Sequence, residues 1–138
     1  AYLSAVPEAV AVLETPDVSL QASREVTDQI TKIMLDSGHG LVLQANGLNT
    51  AQKLARREGI PSATVFRDFD GKDQKASVIR RFLDQAAFKA GQEGGVIMLG
   101  RLRAETISAL LIWGLADRAS RVALVPVSAV LLKGDFTR

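Results

Sequence analysis

Short apolar runs alternate along the chain with longer segments in which apolar residues recur every three or four positions. Val10-Ala11-Val12-Leu13, Leu41-Val42-Leu43 and Val96-Ile97-Met98-Leu99 are apolar at successive positions, so both faces of each extended run must be covered. Five runs read as strands bounded by turn residues: Ala9 to Glu14, Gly40 to Gln44, Ala63 to Arg67, Gly95 to Leu99 and Arg121 to Val127. The segments between them read as helices beginning at Ser23, Thr50, Asp73 and Ala104, where small polar residues or acidic first turns can satisfy free N–H groups. The third helix has the clearest period. Val78, Ile79, Phe82, Leu83, Ala86, Ala87 and Ala90 form one stripe, Arg80, Arg81, Asp84, Gln85 and Lys89 the other, and Gly91 with Gly94-Gly95 ends it.

Strands covered on both faces and joined by helices predict an α/β fold with a parallel sheet and right-handed crossovers. In such folds the loops after the carboxyl ends of the strands carry function. Here those loops are Glu14-Thr15-Pro16-Asp17, Gln44-Ala45-Asn46-Gly47, Asp68-Phe69-Asp70-Gly71, Gly100-Arg101-Leu102-Arg103 and Ser128. Their carboxylates, amides and two arginines suit sugar hydroxyls or small anions.

Composition narrows the chemistry. The 138 residues contain no internal repeat or linker and read as a single α/β domain over residues 1–138. A chain of this size buries about two-thirds of its unfolded surface, enough for a core without disulfides. No cysteine is present, which excludes a disulfide scaffold and thiolate metal sites, and a single histidine excludes a site with two imidazole ligands from this chain. A net charge of +2 is a small excess, so nucleic acid is not an expected partner. The longest nearly uncharged stretch, Thr106 to Ala116, is shorter than the ~20 residues of a membrane span. Ala1-Tyr2-Leu3-Ser4-Ala5 lacks the basic region of a signal peptide.

Local motifs add little. Asp68-Phe69-Asp70-Gly71-Lys72-Asp73 has alternating aspartates, but its Gly is fourth and a strand precedes it, so it reads as a turn leading into a helix rather than a calcium loop. His39, between a helix and the next strand, falls at the amino end of that strand and reads as a helix-terminal residue. Ser62 and Ser128 lack the surroundings of a hydrolase nucleophile, and Gly38-His39-Gly40 and Gly94-Gly95 lack phosphate-loop spacing.

The segment Gly100-Arg101-Leu102-Arg103-Ala104-Glu105-Thr106, followed by Leu124-Val125-Pro126-Val127-Ser128, resembles the end of the divergent polysaccharide deacetylase family. There a Gly-His-Pro-x-x-Glu-Thr stretch opens a helix and a Leu-Val-Pro-x-Ser strand closes the domain. Gly40-Leu41-Val42-Leu43-Gln44, Leu54-Ala55-Arg56-Arg57-Glu58-Gly59-Ile60-Pro61 and Val65-Phe66-Arg67-Asp68 resemble the same family's successive strand, helix and strand. The family is similar to the NodB-like carbohydrate esterases. The resemblance implies a distorted (β/α) barrel of the polysaccharide deacetylase type, removal of N- or O-acetyl groups from polymeric sugars, and a metal held by His and Asp. It also implies that the chain is the C-terminal portion of a longer deacetylase-like domain, because the family's paired aspartates do not follow the first strand here.

Departures from the family pattern shape the functional expectation. Arg101 stands where the family has His, Leu102 where it has Pro, and Gln44-Ala45 where it has an acidic pair, while Asp68 keeps a family carboxylate. An arginine neither ligates a metal nor acts as a base at neutral pH, and beside Asp68 it favours an ion pair over a bound divalent ion. The expected protein therefore has degenerate catalytic motifs, no cofactor and no metal. Its expected polysaccharide- or oligosaccharide-binding cleft comprises Glu14, Gln44, Asn46, Arg67, Asp68 and Arg101. A non-catalytic envelope scaffold or interaction module on the same fold is the alternative. The resemblance also places the protein in the periplasm or cell envelope, and an open sheet edge near Ala9 to Glu14 offers contact with a second copy.

Overall fold

A computed structural model describes residues 2–133. The strands are β1 (Ala11–Leu13), β2 (Gly40–Leu43), β3 (Ser62–Asp68) and β4 (Ile97–Leu99), and the helices are α1 (Tyr2–Ala5), α2 (Arg24–Ser37), α3 (Thr50–Arg57), α4 (Ala76–Glu93), α5 (Ala104–Trp113) and α6 (Val127–Lys133). The strands are parallel and lie in the order β1-β2-β3-β4. This alternation of parallel strands and helices is the expected α/β fold, consistent with a distorted barrel.

The chain divides into two compact units, residues up to Thr64 with those from Val127 onward, and Val65–Pro126. In the first, β1 pairs with β2 and β2 with the first half of β3, in registers Ala11↔Gly40 and Leu41↔Ser62. Every residue of β2 is buried, which explains why its sequence is apolar without alternation. Met34, Leu41, Leu43, Ala55 and Ile60 form the core, with Leu3, Val12, Ile30 and Ala51 against it. Helix α2 starts at Ser23, whose hydroxyl accepts from the Val26 N–H, and stops at Gly38 in the left-handed conformation, whose N–H donates to the Met34 carbonyl.

In the second unit the remainder of β3 pairs with β4, from Val65↔Ile97 to Asp68↔Leu99, with an irregularity between Val65 and Arg67. Phe69, Ile79, Leu83, Ala109 and Trp113 form its core. The apolar stripe of α4 supplies Ile79, Leu83 and Ala86 to the interior, as its period predicts. Trp113 donates its indole N–H to Asp84 at 3.0 Å, tying α5 to α4.

Two expectations are corrected. Arg121 to Val127 is not a strand: residues 119–121 form a short 3-10 turn, 123–126 are irregular, and Val127 already begins α6. The run has the propensity of a strand but no neighbouring strand to pair with among the described residues. Pro126, which has no N–H to give a ladder, sits directly before the helix. The third helix begins at Ala76 rather than Asp73, because Asp73 has φ 52° and so cannot take the extended conformation of an N-cap. Its first turn is satisfied from elsewhere: the Ala76 N–H donates to Glu105 Oε2 of α5 at 2.9 Å.

Candidate functional site

The carboxyl ends of β3 and β4 bring the most chemistry together, all of it in the second unit. Beyond Asp68 the Phe69 N–H donates to the Leu99 carbonyl at 3.0 Å, so the two chains leave the sheet side by side. Phe69 then turns inward and Gly100 passes its ring so closely that a Cβ at Gly100 would lie 2.3 Å from the ring's Cζ. That approach sets Asp70 opposite the main chain of Arg101. The Arg101 N–H donates to Asp70 Oδ2 at 2.7 Å, and the buried Thr106 hydroxyl, in the first turn of α5, donates to the same oxygen at 2.7 Å.

The Arg101 side chain closes the arrangement. Its Nη1 donates to Asp68 Oδ1 and to Asp70 Oδ1, each at 2.8 Å, while Nη2 donates to Asp68 Oδ2 at 3.0 Å. The pairing with Asp68 is the two-pronged carboxylate–guanidinium geometry that only arginine provides. Arg103 Nη1 donates to the Asp70 carbonyl at 2.9 Å and its Nη2 lies 3.4 Å from Asp73 Oδ1. The Asp70 side chain is completely buried, Asp68 is a quarter exposed and Arg101 about half exposed.

Electrostatics follow from these contacts. The hydrogen bond from the Arg101 guanidinium holds the Asp68 carboxyl below the usual carboxylate range, against the opposing effect of burial. For Asp70 burial is the largest influence and pushes upward. Hydrogen bonds from Thr106 and from the Arg101 main chain and side chain outweigh it and leave the group lowered. The two carboxylates in turn raise Arg101 above its ordinary value. At neutral pH the site is an ionised triad of two anions and one cation.

In the first unit, Glu14 at the end of β1 is 1% exposed and accepts three N–H groups: Leu20 N–H on Oε1 at 2.6 Å, and Gln21 Nε2 and Gln44 N–H on Oε2 at 2.8 Å each. Gln44 Nε2 donates back to the Glu14 carbonyl at 2.8 Å, so Glu14 and Gln44 lock the ends of β1 and β2 together. Asn46 is exposed, and its main-chain N–H donates to Asn49 Oδ1 at 3.0 Å in the turn before α3. His39 follows the α2 cap, half-buried, and its Nδ1 has no partner among the described residues.

Of the six cleft residues expected from sequence, Asp68 and Arg101 meet, as do Glu14 and Gln44. Arg67 does not join Asp68: its guanidinium lies 4.4 Å from the centre of the Phe82 ring of α4, because successive strand residues point to opposite faces. Asp70, Thr106 and Glu105 are the functional positions that sequence reasoning passed over. Glu105 and Thr106 stand in the Gly-x-x-x-x-Glu-Thr stretch, which was their only signal.

A family profile described as divergent polysaccharide deacetylase matches residues 1–131. The chain belongs to the divergent polysaccharide deacetylase family. No match is found among curated proteins. The metal that the deacetylase resemblance implies, held by His and Asp, does not fit the residues of this member. The guanidinium of Arg101 lies between Asp68 and Asp70, the two carboxylates that converge on it among the described residues. Both Asp70 oxygens are committed to hydrogen bonds, and no group of three His, Cys, Asp or Glu side chains suited to a metal occurs among the described residues.

Proposed function

We propose that this deacetylase-like chain acts in carbohydrate metabolism by binding polysaccharide or oligosaccharide at the second unit's strand ends, without metal-dependent hydrolysis. The observation that carries this reading is the state of Arg101. Its guanidinium is pinned by Asp68 and Asp70 yet about half exposed, and Nε and the second Nη2 hydrogen have no partner among the described residues. A fixed, partly exposed fork of donors beside the Asp68 carboxylate, which can accept, suits the alternating donor and acceptor character of vicinal hydroxyls. Within the first unit, Glu14 and Gln44 hold the ends of β1 and β2 together, and Asn46 is exposed in the turn that follows β2. The family supports the carbohydrate class and an extracytoplasmic, periplasmic setting; no helix among the described residues is long and apolar enough to cross a membrane.

Capture on insoluble acetylated glycans, peptidoglycan and chitin among them, tests this reading. The wild-type protein is expected to be retained and Arg101→Ala to be washed through; wild-type protein in the flow-through on every glycan overturns it. A second reading, a non-catalytic envelope scaffold or interaction module, draws on one observation. Ile107, Leu111 and Ile112 of α5, with Leu115 just past its end, leave an uncharged apolar face exposed.

A further inference from the structure

We propose that Arg101 is the resident cation of the Asp68–Asp70 pair and that it bars divalent metal from this site. The argument begins with position. Nη1 lies 2.8 Å from Asp68 Oδ1 and 2.8 Å from Asp70 Oδ1, so it stands between the two oxygens that a bridging ion would join. A divalent ion binds carboxylate oxygens at about 2.0–2.6 Å and so needs the same space. Guanidinium and metal are therefore mutually exclusive here.

Charge and tethering decide which of them holds the place. Two carboxylates that accept from one nitrogen repel each other unless a cation or a shared proton lies between them, and arginine supplies a charge that stays at any physiological pH, so it is not displaced by losing a proton. It is also anchored at its own main chain, where the Arg101 N–H donates to Asp70 Oδ2, an oxygen that Thr106 secures from the other side. A metal would have to expel a group that is covalently held next to its partners. It would also recover no third ligand, since no suitable group of three occurs among the described residues. Replacing the guanidinium by an imidazole removes the cation and adds a nitrogen ligand in one step. This inference does not depend on sugar binding; a metal titration and a glycan capture fail independently.

The experiment is a Co2+ titration followed by visible absorption, with Zn2+ calorimetry alongside, on the wild-type chain, Arg101→His and Arg101→His/Asp68→Asn. Wild type is expected to bind no stoichiometric ion. Arg101→His is expected to bind one equivalent, and the double variant to lose it. The gain over wild type should be at least about a hundredfold, the order set by removing a unit positive charge from within a few ångströms of the ion. Where Arg101→His does not fold unaided, added Zn2+ is expected to restore its helical circular dichroism. One equivalent bound by wild type and abolished by Asp68→Asn overturns the proposal. So does an Arg101→His chain that gains no affinity or, if unfolded, is not restored by Zn2+.

Discussion

Two carboxylates are buried among the described residues, and different chemistry satisfies them. Glu14 is held by three neutral N–H groups, whereas Asp70 combines a hydroxyl, a main-chain N–H and a guanidinium that it shares with Asp68. The second arrangement ties stability to pH. Asp68 and Asp70 are both lowered in the folded chain, so the unfolded chain binds more protons in the acid range and stability rises with pH there. Their contribution is complete above the ordinary aspartate value and is lost as the pH falls below about 4 towards the lowered folded values. Urea midpoints measured across this range are expected to fall steeply for wild type and less steeply for Arg101→Ala, which lacks the cation that lowers both groups. Equal slopes would show that the guanidinium does not set their affinities for protons. The ion pair between Arg101 and Asp68 could be anticipated from sequence, because a cation and a retained carboxylate follow adjacent predicted strands. The part played by Asp70 could not. Asp-x-Asp-Gly reads as a turn, and only the close passage of Gly100 over Phe69 shows that the second aspartate is buried.

At the level of elements, β2 and the stripe of α4 were readable because burial on both faces, or on one helical face, leaves a periodic trace in the residues themselves. The start of α4 left no such trace, since the acceptor for its first turn comes from Glu105, twenty-nine positions away. The stretch from Arg121 to Val127 shows the opposite failure. Its β-branched residues satisfy strand propensity, yet propensity describes fit to a sheet and no partner strand stands beside it among the described residues. Gly100 links these elements to the site, and space rather than backbone conformation demands glycine there. A methyl group would meet three atoms of the Phe69 ring at 2.3–2.9 Å, and that ring is packed in the core. Gly100→Ala must therefore move either the ring or the main chain that presents Arg101, an overpacking cost of about 1–3 kcal/mol. Denaturant unfolding followed by Trp113 fluorescence is expected to show that loss. An unchanged midpoint would mean that the ring yields freely and that Gly100 does not position the site.

For the whole molecule, the family match over residues 1–131 spans both units, although each has its own apolar cluster and its own set of buried polar contacts. The alternation of parallel strands and helices was legible along this entire length; the division into two cores was not, because β3 runs through both and its sequence is continuous. Solution behaviour depends on what that fold leaves outside. A net charge of +2 gives little mutual repulsion, and no charged residue occurs from Thr106 to Ala116. Leu111 is 68% exposed on the α5 face, while Thr106, Ala109 and Trp113 on the other face of the same helix are buried. The edge strand β1, by contrast, is only three residues long, and a short edge is a poor template for pairing. Sedimentation of the wild-type chain is therefore expected to show association that grows with concentration. Leu111→Lys should suppress it without altering Trp113 fluorescence, and Leu13→Lys at the β1 edge should leave it intact. Suppression by Leu13→Lys alone would move the contact to the open sheet edge, and a wild-type chain that stays monomeric at every concentration would remove self-association from the α5 face altogether.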